Sequence, residues 1–181
     1  MRLTFSTSDY LNTSMADEHG RSLYTVSTSG FLNRQTTLYK ANTSGSSNDP
    51  TTLATIKWSH CSSDKIWFEG REVEASQLMT QHGCCSSPCF VGPDNQTYKW
   101  KIGSENCWLK RESMDGQLAK YHKHNLGIRK PSHPPYLDIS DSLQYILDHV
   151  VLTFILAENM SRSYTLDLVL VFFCCIANLG W

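Results

Sequence analysis

The sequence lacks the features that mark several large classes of protein. Charged residues make up only 18% of the 181 residues and the formal net charge is −1, so no basic excess is available to displace the counterions of a nucleic acid. No Gly-rich phosphate loop and no nucleophile–base arrangement stands at a diagnostic spacing. The first residues, Met1 to Asp9, contain no apolar stretch of secretory length. We therefore expect a cytoplasmic protein that is not secreted and has no nucleic-acid partner, with peripheral association with membranes left open.

The apolar content is sufficient for a folded core. Hydrophobic residues make up 40% of the chain and aromatic residues 11%, which argues against disorder over most of its length. A chain of this size usually forms one domain and buries roughly 70% of its unfolded surface. We expect a single domain over residues 1–162, followed by an apolar C-terminal extension over residues 163–181.

Between residues 22 and 139 the chain reads as short strands separated by turns. In the clearest strand, Thr97–Ile102, apolar residues alternate with Lys99 and Lys101, as in a strand with one buried face. The polar segment 41–50 predicts a mobile loop. Recurrent short strands with regularly spaced turns are typical of an all-β barrel or sandwich. The predicted strands are Leu23–Ser27, Thr36–Lys40, Leu53–Trp58, Lys65–Phe68, Arg71–Val73, Thr97–Ile102, Cys107–Arg111, Leu118–His122 and Tyr136–Ile139.

One segment, about residues 140–159, has the spacing of a helix instead. Ser140 or Asp141 can cap its start by accepting a hydrogen bond from a free backbone N–H. From Val150 onward apolar residues occupy the whole circumference, which requires burial on every side. We predict a helix enclosed by sheet. The alternative is a buried strand over Val150–Ala157, because Val, Ile, Thr and Phe favour strands.

The C-terminal extension contains an apolar run, Leu166–Ala177. This run of about a dozen residues is shorter than the roughly 20 that a helix needs to cross a bilayer, and Asp167 lies within it. Three interpretations of this run therefore remain: a membrane anchor, a buried strand, or a helix packed on the domain.

The seven cysteines do not form a recognisable metal motif. Cys84, Cys85 and Cys89 lie close together, but no second pair follows at metal-ligand spacing and Cys107 stands alone. We expect free thiols in a surface loop and no cofactor. A metal site would need convergence in space with His60, Cys61 or His82.

The order and spacing of five segments resemble a family of small fungal proteins, most of them from mushroom-forming basidiomycetes. These proteins carry a domain of unknown function related to the tubby C-terminal and LURP-one (scramblase-like) folds, and the resemblance covers Leu3 to Arg162. It implies a mainly β (α+β) fold, an antiparallel β barrel around a buried C-terminal hydrophobic helix, with no catalytic residues to carry over. It also implies that residues 163–181 are an extension to the family pattern or an artefact of gene prediction. The segments are Ser22–Thr28, Ala54–Trp58, Gln96–Lys101, Leu118–Tyr121 and Leu147–Glu158.

The favoured function is a non-enzymatic binding module for an anionic membrane surface or a protein partner. Tubby-like relatives bind phosphoinositides through basic surface residues and scramblase-like relatives act at membranes, although neither activity is established for the fungal family that the chain resembles. Basic residues close to an anionic leaflet contribute about 1 kcal/mol each, and several are needed together. An ordinary solvated sheet face is the competing interpretation. The candidate basic residues are Lys57, Lys99, Lys101, Lys110 and Arg111.

Two other functions remain open. His122 and His124, two residues apart, would share a strand face and could ligate a metal or relay protons, with Asp138 or Asp141 following. A barrel interior could instead carry a small apolar ligand. If the helix fills the barrel, however, inward aromatic residues are core packing. The aromatic residues that could line such an interior are Trp58, Trp67, Trp100 and Trp108.

Overall fold

Twelve short strands and a long C-terminal helix account for most of the described chain. The computed structural model describes residues 1–42, 49–59, 62–81, 87–103, 106–127 and 131–177, with side chains in the last helix only as far as Arg162. The predicted mobile loop 41–50 falls mainly on residues 43–48, which lie outside the described residues. The strands are β1 (Arg2–Phe5), β2 (Thr13–Ala16), β3 (Ser22–Ser29), β4 (Gln35–Lys40), β5 (Thr51–Lys57), β6 (Lys65–Phe68), β7 (Arg71–Glu74), β8 (Cys89–Val91), β9 (Thr97–Ile102), β10 (Asn106–Arg111), β11 (Ala119–His122) and β12 (Tyr136–Ile139).

All twelve strands join one antiparallel sheet. The strand order is β7-β6-β5-β4-β3-β2-β1-β12-β11-β10-β9-β8, so nearly every strand pairs with its neighbour in sequence. The predicted antiparallel sheet is confirmed. Within the described residues no ladder joins the terminal strands β7 and β8, so closure into a barrel is not established by strand pairing.

The helical prediction for residues 140–159 is confirmed, and the alternative of a strand over Val150–Ala157 is wrong. A 3-10 helix, Asp141–Ile146, leads into α2, Leu147–Ala177, so the helix continues well past the predicted end. Ser140 caps the start, because its hydroxyl accepts a hydrogen bond from the Ser142 N–H. A shorter helix, α1 (Ala75–Leu78), follows β7. Within the described residues, no helix combines the length and the apolar character that a bilayer crossing requires.

The side chains of α2 fill the space on the inner face of the sheet. Every residue from Val150 to Ala157 is buried, as a helix that is apolar on all sides requires. The ring of Phe154 lies 5.7 Å from that of Phe5 on β1, 4.8 Å from Tyr121 on β11 and 5.9 Å from Trp100 on β9, measured between centroids. Distant parts of the sheet therefore meet on one helical residue.

Trp100 is part of this core. It is fully buried, and its indole N–H donates a hydrogen bond to the Thr153 hydroxyl of α2 at 3.1 Å. The Thr153 hydroxyl in turn donates to the His149 carbonyl oxygen at 2.7 Å. Both polar groups are therefore satisfied inside an apolar environment, which removes the penalty for burying them.

We expect Trp100→Ala to lower the free energy of unfolding by roughly 3–5 kcal/mol, because the truncation leaves a cavity between β9 and α2. Denaturant titration followed by circular dichroism measures the change. The matched control is Trp67→Ala on β6, whose side chain is 51% exposed and should change stability by about 0.5 kcal/mol or less. Equal effects of the two substitutions would contradict the placement of Trp100 in the core.

Candidate functional site

Four lysines and a tryptophan lie at neighbouring register positions on β9, β10 and β11. Lys101 pairs with Trp108 and Trp108 pairs with Lys120, while Lys99 pairs with Lys110 in the adjacent row. The residues that alternate with them along the three strands are buried, so this set points away from α2. We call these five residues the lysine face.

Acidic groups neutralise only a small part of the lysine face. The Lys110 ammonium lies 3.8 Å from a carboxylate oxygen of Asp115, which is fully exposed. Asp138 pairs with Lys120 in the register, but its carboxylate accepts a hydrogen bond from Arg2 at 2.7 Å. In the part of the chain that the structure describes, no ion pair engages Lys99, Lys101 or Lys120. A net positive charge therefore remains on this surface.

The structure separates the other two predicted basic residues from this face. Lys57 lies on β5, and six strands of the ladder stand between β5 and β10. Arg111 lies at the end of β10, where its guanidinium donates to the Tyr98 hydroxyl at 3.3 Å and lies 4.0 Å from Asp94. Of the five predicted residues, Lys99, Lys101 and Lys110 come together. Sequence reasoning missed Lys120, although the alternation within Leu118–His122 could have placed it on the same side.

A cavity of about 490 Å³ opens where α2 begins. Leu23, Leu53, Phe68 and Pro93 contribute apolar wall, and polar side chains of the first helical turn form the floor. We call it the helix-start cavity. Its size falls in the range of roughly 300–1,000 Å³ that is common for small-molecule sites.

Asp148 is the centre of the polar floor. One of its carboxylate oxygens accepts a hydrogen bond from the Tyr24 hydroxyl at 2.6 Å, and the other accepts one from the Lys40 ammonium at 2.7 Å. Burial, together with the bond to Asp148, raises the pKa of Tyr24 above its usual value. Tyr24 therefore stays a hydrogen-bond donor, and β3, β4 and α2 are tied together at this end of the sheet.

His149 lies beside Asp148 and faces a different partner. Its Nε2 lies 3.4 Å from a carboxylate oxygen of Glu69, and its ring meets the ring of Phe68 edge-on at 5.0 Å. Glu69 has a positive φ of 51° and is followed by Gly70 at 77°, the left-handed pair that a tight β6–β7 hairpin requires. Burial lowers the pKa of His149, so the imidazole is neutral at pH 7.

A second carboxylate, that of Asp94, links the 3-10 helix to the β8–β9 turn through hydrogen bonds. Asp94 accepts hydrogen bonds from the Tyr145 hydroxyl at 2.6 Å and the Tyr98 hydroxyl at 2.8 Å. Burial acts in the opposite direction, but these hydrogen bonds lower the pKa of Asp94 overall. A Cβ at Gly92 would lie 2.6 Å from the Asp94 carboxylate and 2.9 Å from the Tyr98 ring, so a larger residue there would have to displace one of these side chains.

The predicted histidine pair does not form. β11 ends at His122, so His124 lies outside the strand and the expectation that both share a strand face is wrong. His122 stacks on Tyr136 at 4.3 Å, and its Nε2 lies 3.5 Å from an oxygen of Asp138. Asp141 lies elsewhere, 3.3 Å from the N-terminal ammonium.

The predicted cysteine site falls mainly outside the described residues, and the part within them shows no metal geometry. Cys89, on β8, is half-buried, and its Sγ lies 3.4 Å from the Ser87 carbonyl oxygen. Cys107 is buried, and burial raises the pKa of its thiol. Among the described residues, no group of three His, Cys, Asp or Glu side chains could hold a metal ion. The predicted partners that lie outside them are His60, Cys61, His82, Cys84 and Cys85.

The four tryptophans suggested as the lining of an internal ligand site do not surround one space. Only Trp100 is fully buried in the core. Trp67 is exposed, and Trp108 belongs to the lysine face. The Trp58 indole N–H donates to the Thr36 hydroxyl at 2.7 Å. The interior beside Trp100 is occupied by α2, and no shared aromatic lining is present in the described structure.

We expect the neutral imidazole of His149 to make stability depend on pH. Its pKa in the folded protein is below the ordinary value of 6.5, so below that pH the unfolded chain binds a proton that the folded protein does not. The contribution of His149 to the free energy of unfolding should therefore fall as the pH is lowered below 6.5, by at most about 1.4 kcal/mol per pH unit. Denaturant titrations at a series of pH values measure this slope.

Two histidine variants test whether His149 causes this dependence of the free energy of unfolding on pH. His149→Gln should retain stability better than the wild type between neutral and mildly acidic pH. His124→Gln changes an exposed histidine and should leave the slope as it is. An unaltered slope in His149→Gln would contradict the burial of a neutral imidazole at this position.

Comparison with known proteins places the chain in a family. No similar curated protein is found, and no solved structure matches the chain. A family model does match, over residues 8–163, a span that contains β2 to β12, the lysine face and the helix-start cavity. The chain therefore belongs to the family of unknown function DUF6593.

Proposed function

We propose that the protein is a non-enzymatic binding module that docks on anionic phospholipid surfaces through the lysine face. The observation that carries this proposal is the register of β9, β10 and β11. It places Lys99, Lys101, Lys110 and Lys120 around Trp108. Each lysine near an anionic leaflet adds about 1 kcal/mol, so a set of four can support peripheral binding.

The composition of the lysine face also suits a lipid headgroup layer. Tryptophan is enriched at membrane–water interfaces, where its apolar ring and polar N–H are both accommodated. Lysine side chains can lie along a surface and still direct the ammonium group into the headgroup layer. The anionic leaflet of a cell faces the cytoplasm, so the proposal includes a cytoplasmic protein that binds membranes peripherally.

We also propose that the sheet closes into a barrel around α2, as the resemblance to tubby C-terminal and LURP-one folds implies. Thr80, shortly after β7, exchanges backbone hydrogen bonds of 2.8 and 2.9 Å with Cys89 of β8. This contact supports closure near the two terminal strands. Kinship with these folds and a fungal origin remain part of the proposal. Amide hydrogen exchange tests closure, because a closed barrel protects the outer-edge amides of β7 and an open sheet leaves them exchangeable.

We expect the protein to sediment with vesicles that contain phosphatidylserine or phosphoinositides and to remain in solution with pure phosphatidylcholine vesicles. Binding should weaken as the salt concentration rises, because ions screen exposed charges. Lys99→Gln/Lys101→Gln should reduce the partition coefficient on the order of 30-fold at low salt, which corresponds to two contributions of about 1 kcal/mol.

The matched control, Lys57→Gln/Arg71→Gln, removes the same charge from β5 and β7. It should bind nearly as the wild type does. Equal losses in the two double variants would show that net charge acts rather than the lysine face. Absence of binding to every vesicle would refute the lipid proposal and leave an acidic protein partner for this surface.

A further inference from the structure

We propose that the helix-start cavity binds a small organic ammonium ion, a cationic nitrogen that carries a short apolar substituent. This inference is independent of the lysine face and of its lipid partner. It rests on the charge of the cavity, on its aromatic lining and on its volume.

The charges that line the cavity leave one carboxylate without a cationic partner. Asp148 and Lys40 form an ion pair at 2.7 Å, so their charges cancel. Glu69 also lines the cavity, and its side chain is 49% exposed. Its neighbour His149 is neutral at pH 7, because burial lowers the pKa of the imidazole. The lining therefore carries a net charge of about −1, which attracts a cation and disfavours an anion.

Aromatic residues surround the same space. Tyr24, Phe68 and Tyr145 all line the cavity. Aromatic rings attract ammonium ions through the negative charge of their π faces, and sites for quaternary ammonium groups commonly combine several rings with a carboxylate. Leu53 and Leu23 add aliphatic surface for the rest of the ligand.

The position at the start of a helix does not turn the cavity into an anion site. The N–H of Leu147 donates to the Gln144 carbonyl oxygen within the preceding 3-10 helix, so it is not available to a ligand. Asp148 stands in the first turn of α2 and offsets the positive end of the helix dipole. The carboxylate of Glu69, whose neighbour His149 is neutral, then decides the sign of the ligand.

The volume limits the ligand to a small molecule. A cavity of about 490 Å³ accommodates a compact head with a short substituent. Because the Asp148 charge is already balanced by Lys40, the lining offers only the Glu69 carboxylate, and a second cationic group on the ligand would have no partner. We therefore infer a monocation rather than a polyamine.

Titration with choline, followed by nitrogen–proton NMR spectra of the full chain, tests the proposal. Choline should shift the amide signals of residues around Glu69 and Asp148 in a saturable way. Its neutral isostere 3,3-dimethyl-1-butanol has the same shape without the charge and should bind more weakly. Equal binding of the two compounds would overturn the proposal, and so would the absence of saturable shifts at the cavity.

Two substitutions and a control locate the site. Glu69→Gln should weaken choline binding roughly fivefold, the loss expected for one partly exposed charge contact. Ala41→Trp adds bulk to a residue that lines the cavity without changing the charge, and should abolish the shifts. Glu72→Gln makes the same chemical change just beyond the hairpin, where the carboxylate binds Lys65 at 2.9 Å, and should bind choline as the wild type does. If Glu69→Gln behaves like Glu72→Gln, the assignment of the cationic site is wrong.

Discussion

The burial of α2 is the constraint on which the rest of the structure depends. Eight consecutive residues, Val150 to Ala157, are buried, and a helix that is apolar on all sides is stable in water only when other elements cover its whole circumference. Strands of the twelve-stranded antiparallel sheet supply part of that cover. Phe154, in contact with β1, β9 and β11, shows how closely the sheet follows the helix.

The buried segment of α2, Val150–Ala157, is mainly apolar, and further polar contacts that fix the helix lie on both sides of this segment. At the start, Asp148 binds Tyr24 and Lys40. Just after the buried segment, the Asn159 side chain accepts hydrogen bonds from Tyr10 and Arg34. Apolar packing tolerates sliding along the helix axis far better than directional hydrogen bonds do. These contacts therefore fix the position of the helix along its own axis relative to the sheet. The contacts of Asp148 also hold the floor of the helix-start cavity in place.

The sequence predicted the strands that alternate clearly and the helix, but not the sites formed by distant residues. β9 and β12 were predicted with the observed bounds, since strict alternation is a local signal. β2 (Thr-Ser-Met-Ala) and β8 (Cys-Phe-Val) were missed because neither alternates clearly between apolar and polar residues, whereas β1 (Arg-Leu-Thr-Phe) does alternate and could have been predicted. The grouping of Lys57 with Lys99 failed for a different reason. Which strands become neighbours depends on the whole topology, and no local pattern encodes it.

The position of α2 also limits where a ligand can bind. Many β proteins bind ligands in the space that their strands surround. Here α2 occupies the space on the inner face of the sheet, and Trp100 donates a hydrogen bond to Thr153 of the helix. Both proposed sites therefore lie elsewhere, one on the outer surface of the strands and one at the end where the helix begins. The outer surface is repetitive and carries like charges in register, which suits an extended anionic partner. The helix-start end brings together single residues from β3, β4, α2 and the β6–β7 turn, such as Lys40 and Glu69, which suits a small molecule. The filled core and the outward position of the two proposed sites therefore have one physical origin in the apolar helix.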